Sequence, residues 1–118
     1  MRHMRAHRKF GRVKRVRVAL LRGLARSLVL QEGITTTVAK AKELRPYIER
    51  LVSASKEDTL ASRRRIARQV GNDREIITKL HTTLAKRYAS RNGGYTRIVR
   101  LGRVGKRAIE SARIEFVV

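Results

Sequence analysis

The sequence contains no cysteine and no tryptophan, and only 1 proline among its 118 residues. The absence of cysteine excludes a disulfide framework, a thiolate zinc site and a cysteine nucleophile. Aromatic residues make up only 4% of the chain, whereas hydrophobic residues reach 42%. The hydrophobic content is too high for a purely disordered basic tail. Together these values predict one small globular domain with a real but thin core.

Long hydrophobic runs are also missing. The longest, Val18–Leu21 and Leu28–Leu30, fall far short of the roughly 20 residues that a bilayer requires. Arg22 and Arg26 interrupt what would otherwise be a signal-peptide core. Residues 1–31 are basic, acid-free and helix-patterned, which is also typical of a mitochondrial transit peptide. A second acid-free basic block near the other end of the chain argues against that interpretation.

Acidic residues are scarce, with 9 Asp and Glu against 30 Lys and Arg, and the formal net charge is +21. The charge is unevenly distributed, because residues 1–31 and 86–109 contain no acid whereas residues 32–61 are neutral. Clustered like charges repel one another unless a polyanion lies against them. The predominance of arginine suits bidentate contacts to phosphate. We therefore expect a nucleic acid as the partner.

The spacing of apolar residues predicts an α+β fold in the order helix, strand, three helices, two strands, with a small three-stranded sheet. Residues 1–11 show no amphipathic pattern and predict an extended basic arm, followed by a single globular domain over 12–118. The predicted helices cover about Val13–Gln31, Val38–Ala54, Asp58 or Thr59 to Val70, and Arg74–Tyr88, and the predicted strands cover Ile34–Thr37, Tyr95–Leu101 and Ser111–Val118.

The first helix is predicted to have two distinct faces. An apolar stripe is expected to face the core, and the opposite face carries arginines with no acid between them, which favours a ridge that faces phosphate over an ordinary solvated face. The stripe consists of Val13, Val16, Leu20, Leu24 and Leu28, and the ridge of Arg12, Arg15, Arg22 and Arg26.

Local signals mark the element ends. Gly33 is expected just past the end of the first helix, Thr37 or its neighbour is expected to cap the second helix, and Asp73 is expected to cap the fourth. Pro46 should kink or split the second helix, because it removes a backbone hydrogen bond. The second helix is predicted to bury Ala41, Leu44, Ile48, Leu51 and Val52.

Catalytic chemistry is not indicated. His3 and His7 lie among cations with no carboxylate to orient them, and His81 has no partner at metal-ligand spacing. The glycines of residues 93–105 match neither a P-loop nor a dinucleotide fingerprint. We expect no enzyme activity, no cofactor, no metal and no small-molecule substrate.

Two basic glycine-containing segments favour phosphate binding. Gly93 and Gly94 would let the backbone approach a phosphate closely, and Arg91 and Arg97 flank them. Tyr95 either stacks on an unpaired base or is a core aromatic of the strand, and the sequence does not decide between the two. The turn Gly102–Arg107 is small and positive, which fits the backbone of a folded RNA.

Three stretches of sequence make a resemblance specific: the opening Met-Arg-His, the segment Thr36–Arg45 (TTVAKAKELR) and the segment Ala89–Ile98 (ASRNGGYTRI). They resemble the bacterial large-subunit ribosomal protein family numbered seventeen, and the similarity continues to Ile114–Val117. The resemblance implies the same order of elements in two layers. It also implies a structural, non-catalytic role without a cofactor on large-subunit ribosomal RNA, near the nascent-chain exit and among other ribosomal proteins.

The RNA-binding residues expected from the charge pattern and from the resemblance lie in the arm, the first helix, the start of the second helix and the two loops. They are Arg2, His3, Arg5, Arg8, Lys9, Arg12, Lys14, Arg15, Arg17, Arg22, Thr36, Thr37, Lys40, Lys42, Arg45, Arg91, Gly93, Gly94, Tyr95, Thr96, Arg97, Arg100, Arg103, Lys106 and Arg107.

The start of the first helix departs from the family pattern. The family usually has Gly-Arg-x-Leu-Asn-Arg, then serines and a histidine, where this chain has His7–Arg12, then Lys14, Arg15 and Val16. The usual serine cap is missing, although the change raises the positive charge.

The expected function is therefore a structural constituent of the large ribosomal subunit, in bacterial cytoplasm or in an organelle, which stabilises folded ribosomal RNA during assembly. If about 15 cations meet phosphates, binding should depend on salt with a log–log slope of roughly −10 to −13. The alternative is a DNA-binding or nucleoid protein that places the Arg63–Arg68 helix in a major groove. A cationic membrane-surface peptide is disfavoured, because residues 13–31 would have to leave the core. We expect no membrane partner.

Overall fold

The computed structural model describes residues 8–105 and 109–118, and it shows the predicted α+β fold. The predicted order of elements is confirmed. Four helical segments pack around a small antiparallel sheet, and the fourth segment contains a π-helical turn. The elements are α1 (Lys14–Gln31), β1 (Gly33–Thr37), α2 (Val38–Ser55), α3 (Leu60–Gln69), α4 (Arg74–Lys79), the π-helical turn Leu80–Leu84, α5 (Ala85–Arg87), β2 (Thr96–Val104) and β3 (Ile109–Phe116).

The sheet has three strands in the order β1-β3-β2, with both pairs antiparallel. The last strand therefore lies in the centre, between two strands that precede it in the chain. A β-bulge between Arg100 and Gly102 shifts the β2–β3 register. At one end of the sheet Glu115 pairs with Gly33 and Arg97, and we call this the loop end. At the opposite end Ser111 pairs with Thr37 and Gly102, and we call this the hairpin end.

The helices cover one face of the sheet. Ile34, Ala112 and Ile114 are buried beneath them, whereas Thr35 and Arg113, which alternate with those residues, are exposed on the other face. This alternation is typical of an antiparallel sheet with one solvated face. All five core positions predicted in α2 are confirmed, at Ala41, Leu44, Ile48, Leu51 and Val52.

The apolar stripe predicted along α1 is only half right. Leu28 is buried with Ala25 and Val29, but Val13 and Val16 are 65% and 43% exposed. The helix has 18 residues and is about 27 Å long, so it extends beyond the thin core that it packs against. The first turns of α1 therefore project from the body of the protein.

The end of α1 corrects the role expected of Gly33. Glu32 is the residue with the left-handed conformation, at φ 63°, and its N–H donates to the carbonyl of Leu28 at 2.7 Å. Gly33 already belongs to β1. A Cβ there would lie 3.2 Å from the Cβ of Glu115 and would also clash with the Arg113 guanidinium. Close packing against β3, not turn geometry, explains this glycine.

The predicted helix caps are confirmed in part. Thr37 Oγ1 accepts a hydrogen bond from the N–H of Lys40 at 3.2 Å, and Thr59 caps α3 in the same way. Asp73 lies at the start of α4, but its side chain makes no capping bond and instead pairs with Arg26. Because the Asp73 carboxylate binds the guanidinium of Arg26 in α1, it does not accept a hydrogen bond from the first N–H groups of α4.

Three further expectations are wrong or incomplete. Pro46 does not split α2, which runs on as one helix with the proline ring on its exposed side. The π-helical turn at Leu80–Leu84 was not predicted, because Leu80 and Leu84 keep an i,i+4 spacing in either helix type. The last strand ends at Phe116, and Val118 is fully exposed instead of inward-facing.

Candidate nucleic-acid interface

The candidate interface begins at the hairpin end of the sheet. Arg100 and Arg103 lie on the part of β2 nearest the β2–β3 turn, and both side chains are exposed. Helix α2 starts at the same end, because Val38 directly follows Thr37. Its first turns carry Lys40, which is half-buried, and the exposed Lys42. Two separate segments thus bring cations to one end of the molecule.

The start of α1 points towards this end as well. Only Glu32 separates α1 from the loop end of β1, so α1 runs away from the hairpin end while α2 runs from it. Arg22 of α1 and Tyr47 of α2 both donate to the carbonyl of Gln69, at 3.0 and 2.7 Å. From that common point each helix extends about 12–14 Å back to its first residue. The first turns of α1 and α2 therefore lie towards the same end.

The described part of the N-terminal segment joins them. Arg8 donates to Glu43, in the second turn of α2, at 3.2 Å. Phe10 and Gly11, with φ of 53° and 63°, turn the chain into α1. The cations gathered here, which we call the basic end, form no ion pair within residues 8–105 and 109–118. They are Lys9, Arg12, Lys14, Arg15, Arg17, Lys40, Lys42, Arg100 and Arg103.

Four predicted RNA-binding arginines are instead committed to internal contacts. Arg8 pairs with Glu43, Arg45 with Glu49 at 3.2 Å, and Arg97 with Glu115 at 2.9 Å. Arg22 donates to the carbonyls of Arg68 and Gln69, both at 3.0 Å. A guanidinium held in this way must share or break its contacts before it binds phosphate. Arg2, His3, Arg5, Lys106 and Arg107 lie outside the described residues.

The glycine-containing loop before β2 lies at the loop end, away from the basic end. Its conformation is held by α2, because Lys56 Nζ donates to the carbonyls of Tyr88 and Arg91 and, at 2.9 Å, to the hydroxyl of Tyr95. The Glu49 carboxylate accepts a hydrogen bond from the N–H of Gly94 at 3.2 Å. That amide already binds a carboxylate, so the phosphate contact expected from Gly94 is not available in this structure.

Tyr95 is a core residue, which decides between its two predicted roles. It is 1% exposed, its ring centroid lies 5.1 Å from that of Tyr88, and its hydroxyl bonds to Lys56 and Ser53. Burial raises the pKa of Tyr95, but these hydrogen bonds outweigh burial and leave the pKa below its ordinary value. Its buried ring has no free face for a base.

The remaining predicted side chains lie in several places. Thr36 is half-buried in β1, and the hydroxyl of Thr37 is used in the cap of α2. Thr96 is buried and donates to Glu49 at 2.9 Å. Gly93 is half-buried in the loop, and the Arg91 side chain is exposed at the loop end. Thr36 and Thr37 thus lie at the hairpin end of the sheet, whereas Thr96, Gly93 and Arg91 lie at the loop end.

Most of the internal charge pairing occurs near the loop end. Arg87 forms a hydrogen bond to Glu32 that holds the pKa of this carboxyl below its ordinary value, and Lys79 adds a contact at 3.5 Å. Arg97 has the same effect on the pKa of Glu115. Cations and carboxylates partly compensate one another here, whereas the cations of the basic end have no such partners among the described residues.

Several further cations are exposed but are not among the predicted RNA-binding residues. They have no acidic partner in the described part of the chain, and three of them lie on α3, where only Arg63 is paired, with Asp58 at 2.9 Å. The run of arginines was a visible signal, but it was assigned only to the DNA-binding alternative. These cations are Arg50, Arg64, Arg65, Arg68, Arg74 and Lys86.

A cavity of about 600 Å³ lies between α2, α3 and the loop before β2. Arg50, Arg65, Glu49 and Glu57 are among its lining residues, so it is mixed in charge. Residues 8–105 and 109–118 contain no group of three His, Asp or Glu side chains placed to hold a metal ion. None of the described helices has the length and apolar character of a bilayer span.

A small α+β domain with uncompensated cations gathered at one end is typical of basic proteins that associate with nucleic acid. Comparison with known proteins gives the family. The family model described as Ribosomal protein L17 matches residues 20–117. The chain belongs to the ribosomal protein L17 family, which confirms the resemblance seen in its motifs, and ribosomal proteins are generally non-enzymatic.

Individual relatives that are similar to this chain over almost its full length carry names of the same family. The chain is 52% identical to the large ribosomal subunit protein bL17 of Hydrogenobaculum sp., over 99% of both chains. It is 50% identical to the protein of that name from Novosphingobium aromaticivorans, over 99% of this chain and 82% of the relative. The Thermomicrobium roseum protein is 47% identical over 99% of both. These relatives give the DNA-binding alternative no support.

Proposed function

We propose that this protein is a structural constituent of the large ribosomal subunit and that its basic end binds folded large-subunit ribosomal RNA. Membership of the L17 family and relatives named as large-subunit proteins support the assignment to the subunit. The convergence of unpaired cations from three separate segments at one end of the sheet is the observation that carries the RNA-binding part.

The physical argument is one of charge compensation. The basic end includes cations from the start of α1, the start of α2 and β2, and internal acids do not neutralise them. A phosphate backbone supplies the missing charge and releases its own counterions, which favours binding. Folded RNA presents its backbone in a defined shape, so base-specific contacts are not required. The rigid domain fixes where these cations lie.

The proposed role in the cell follows from this interaction. The protein would neutralise RNA backbone that becomes crowded as the subunit folds, and it would stay in the assembled ribosome in the bacterial cytoplasm beside other large-subunit proteins. The N-terminal arm proposed for residues 1–11 would add its cations to the basic end. The globular domain would hold that arm in position.

A salt titration against a large-subunit ribosomal RNA fragment tests RNA binding. The basic end contains nine described cations, which gives a log–log slope of roughly −6 to −8. The four Lys and Arg of residues 1–7 and 106–107 would steepen the slope towards about −12. A slope shallower than about −4 would contradict the proposal.

Two matched triple variants test the location. K14Q/R15Q/R17Q removes three unpaired charges from the basic end, whereas R26Q/R45Q/R97Q removes three charges that pair with carboxylates. The first should make the salt slope shallower by about 2 to 3, and the second by less than about 1. Circular dichroism checks that both fold. Equal effects of the two variants would place the interface elsewhere.

A further inference from the structure

We propose that α3 forms a second RNA-binding surface, which contacts a different RNA segment from the one at the basic end. The inference rests on the proposed function, since it assumes that the partner is RNA. The surface consists of Arg64, Arg65 and Arg68. All three are exposed, and none has an acidic partner among the described residues.

The helix presents these arginines as one compact cluster. Arg64 and Arg68 are four residues apart and Arg65 and Arg68 are three apart, so their side chains are neighbours on the helix surface. Ser62 and Ile66 are buried on the opposite side and hold α3 against the body. The Ser62 hydroxyl donates to the carbonyl of Ala54 in α2. The cluster is thus presented on a packed helix.

Hydrogen bonds at the C-terminal end of α3 also make this region more favourable for an anion. The last carbonyls of a helix are partially negative and disfavour phosphate nearby. In α3 the carbonyls of Arg68 and Gln69 accept hydrogen bonds from Arg22, and Tyr47 donates a further one to Gln69. These donors compensate the carbonyl charge beside Arg68, which leaves the positive side chains to determine the local potential.

Most of the α3 cluster lies away from the basic end; Arg68, which lines a pocket together with Val18 of α1, comes nearer to it. Helix α3 follows the last turn of α2, at the loop end, and runs back only to the level of Tyr47. Arg65 lines the same cavity as Gly93 and Tyr95, which lie in the loop just before β2. From Thr96, the first residue of β2, to Arg103 in the basic end, the strand alone extends about 23 Å.

Carboxylates and apolar residues interrupt the surface between the two regions. The cavity beside Arg65 is lined by Glu49 and Glu57 as well as by Arg50, so the surface on that side of the α3 cluster is mixed in charge. Between Arg68 and α1 the surface is formed by Val18 and Leu21 together with the committed Arg22. One continuous backbone path is therefore disfavoured, and two RNA segments fit better.

The prediction is that one protein molecule bridges two RNA duplexes. The probes are two RNA duplexes of about 10 base pairs that carry different fluorophores, and each duplex is at most about 34 Å long. Binding is measured at about 50 mM salt. The described part of the protein extends 44 Å along its longest axis, so such a short duplex does not cover its full length. Analytical ultracentrifugation of the full chain gives the stoichiometry, and fluorescence transfer reports bridging. We expect complexes of one protein with two duplexes.

Variants assign the second site. R64Q/R68Q should weaken the affinity of the α3 cluster for its duplex at least about tenfold, and it should leave the affinity of the basic end within about threefold of the wild-type value. The control R63Q/R113Q also removes two charges, but from arginines paired with Asp58 and Glu115, and it should keep both affinities. Bridging that survives R64Q/R68Q, or a wild-type protein that binds one duplex only, would overturn the inference and leave the proposed function intact. A protein that binds neither these duplexes nor a ribosomal fragment overturns both.

Discussion

At the residue scale, Lys56 shows how one cation serves the fold instead of a partner. Its ammonium donates to two backbone carbonyls and one phenol around the loop before β2, and it lies 5.0 Å from the centre of the Tyr95 ring. Charged hydrogen bonds of this kind contribute more to stability than neutral ones. A lysine count alone would have assigned it to the RNA-facing charge.

Replacing Lys56 should therefore lower stability. K56M leaves the carbonyls of Tyr88 and Arg91 without this donor, and we expect the free energy of unfolding in urea to fall by about 1–3 kcal/mol. The control K42M changes an exposed lysine of the same helix and should stay within about 0.5 kcal/mol. Equal losses in the two variants would show that the Lys56 contacts do not stabilise the loop.

The lowered pKa values of two glutamates allow the dependence of stability on pH to be predicted. The folded-state pKa values of Glu32 and Glu115 are lowered by hydrogen bonds from Arg87 and Arg97. A lowered pKa contributes stability above the unfolded value, near pH 4.3, and that stability is lost as the pH falls through the folded value. Urea midpoints measured from pH 6 downwards should fall in this acidic range. E32Q/E115Q should show a smaller fall, and an unchanged pH profile would contradict the assignment.

At the element scale, α2 organises the molecule. It begins at the hairpin end, provides the centre of the core, and contacts both the N-terminal segment and the loop before β2. It forms despite Pro46, because its buried face compensates for the missing backbone bond to Lys42. In α1, by contrast, the first turns find no core to pack against, so Val13 and Val16 stay exposed.

Restoring the missing bond in α2 should stabilise the protein. P46A provides an N–H for the carbonyl of Lys42 and a better helix former, for an expected gain of about 1–3 kcal/mol in the free energy of unfolding. R50A, at an exposed position of the same helix, is the control and should change it by less than about 0.5 kcal/mol. A loss of stability in P46A would mean that the proline ring makes a contact that the helix needs.

At the scale of the whole molecule, a net charge of +21 opposes the compact state. Screening reduces the repulsion between exposed charges, and the screening length falls from about 30 Å at 10 mM salt to about 10 Å at 100 mM. The internal ion pairs weaken over the same range, but cations far outnumber acids. The balance favours stabilisation by salt.

We therefore expect the urea midpoint of the free protein to rise between about 10 and 100 mM NaCl. KCl should have the same effect, because screening depends on ionic strength and not on the cation. A midpoint that falls with salt would show that ion pairs such as Arg97–Glu115 outweigh the repulsion.

Local patterns in the sequence were sufficient to predict the order of elements, the cap of α2, the buried face of α2 and the acid-free blocks, because each depends on residues within a few turns of one another. The roles of individual cations depended on the tertiary structure. Arg87 meets Glu32 across 55 residues, and Arg26 meets Asp73 across 47. Only folding brings such partners together, and so only the structure shows which arginines are committed, that Tyr95 is buried, and that the free cations of three segments gather at one end.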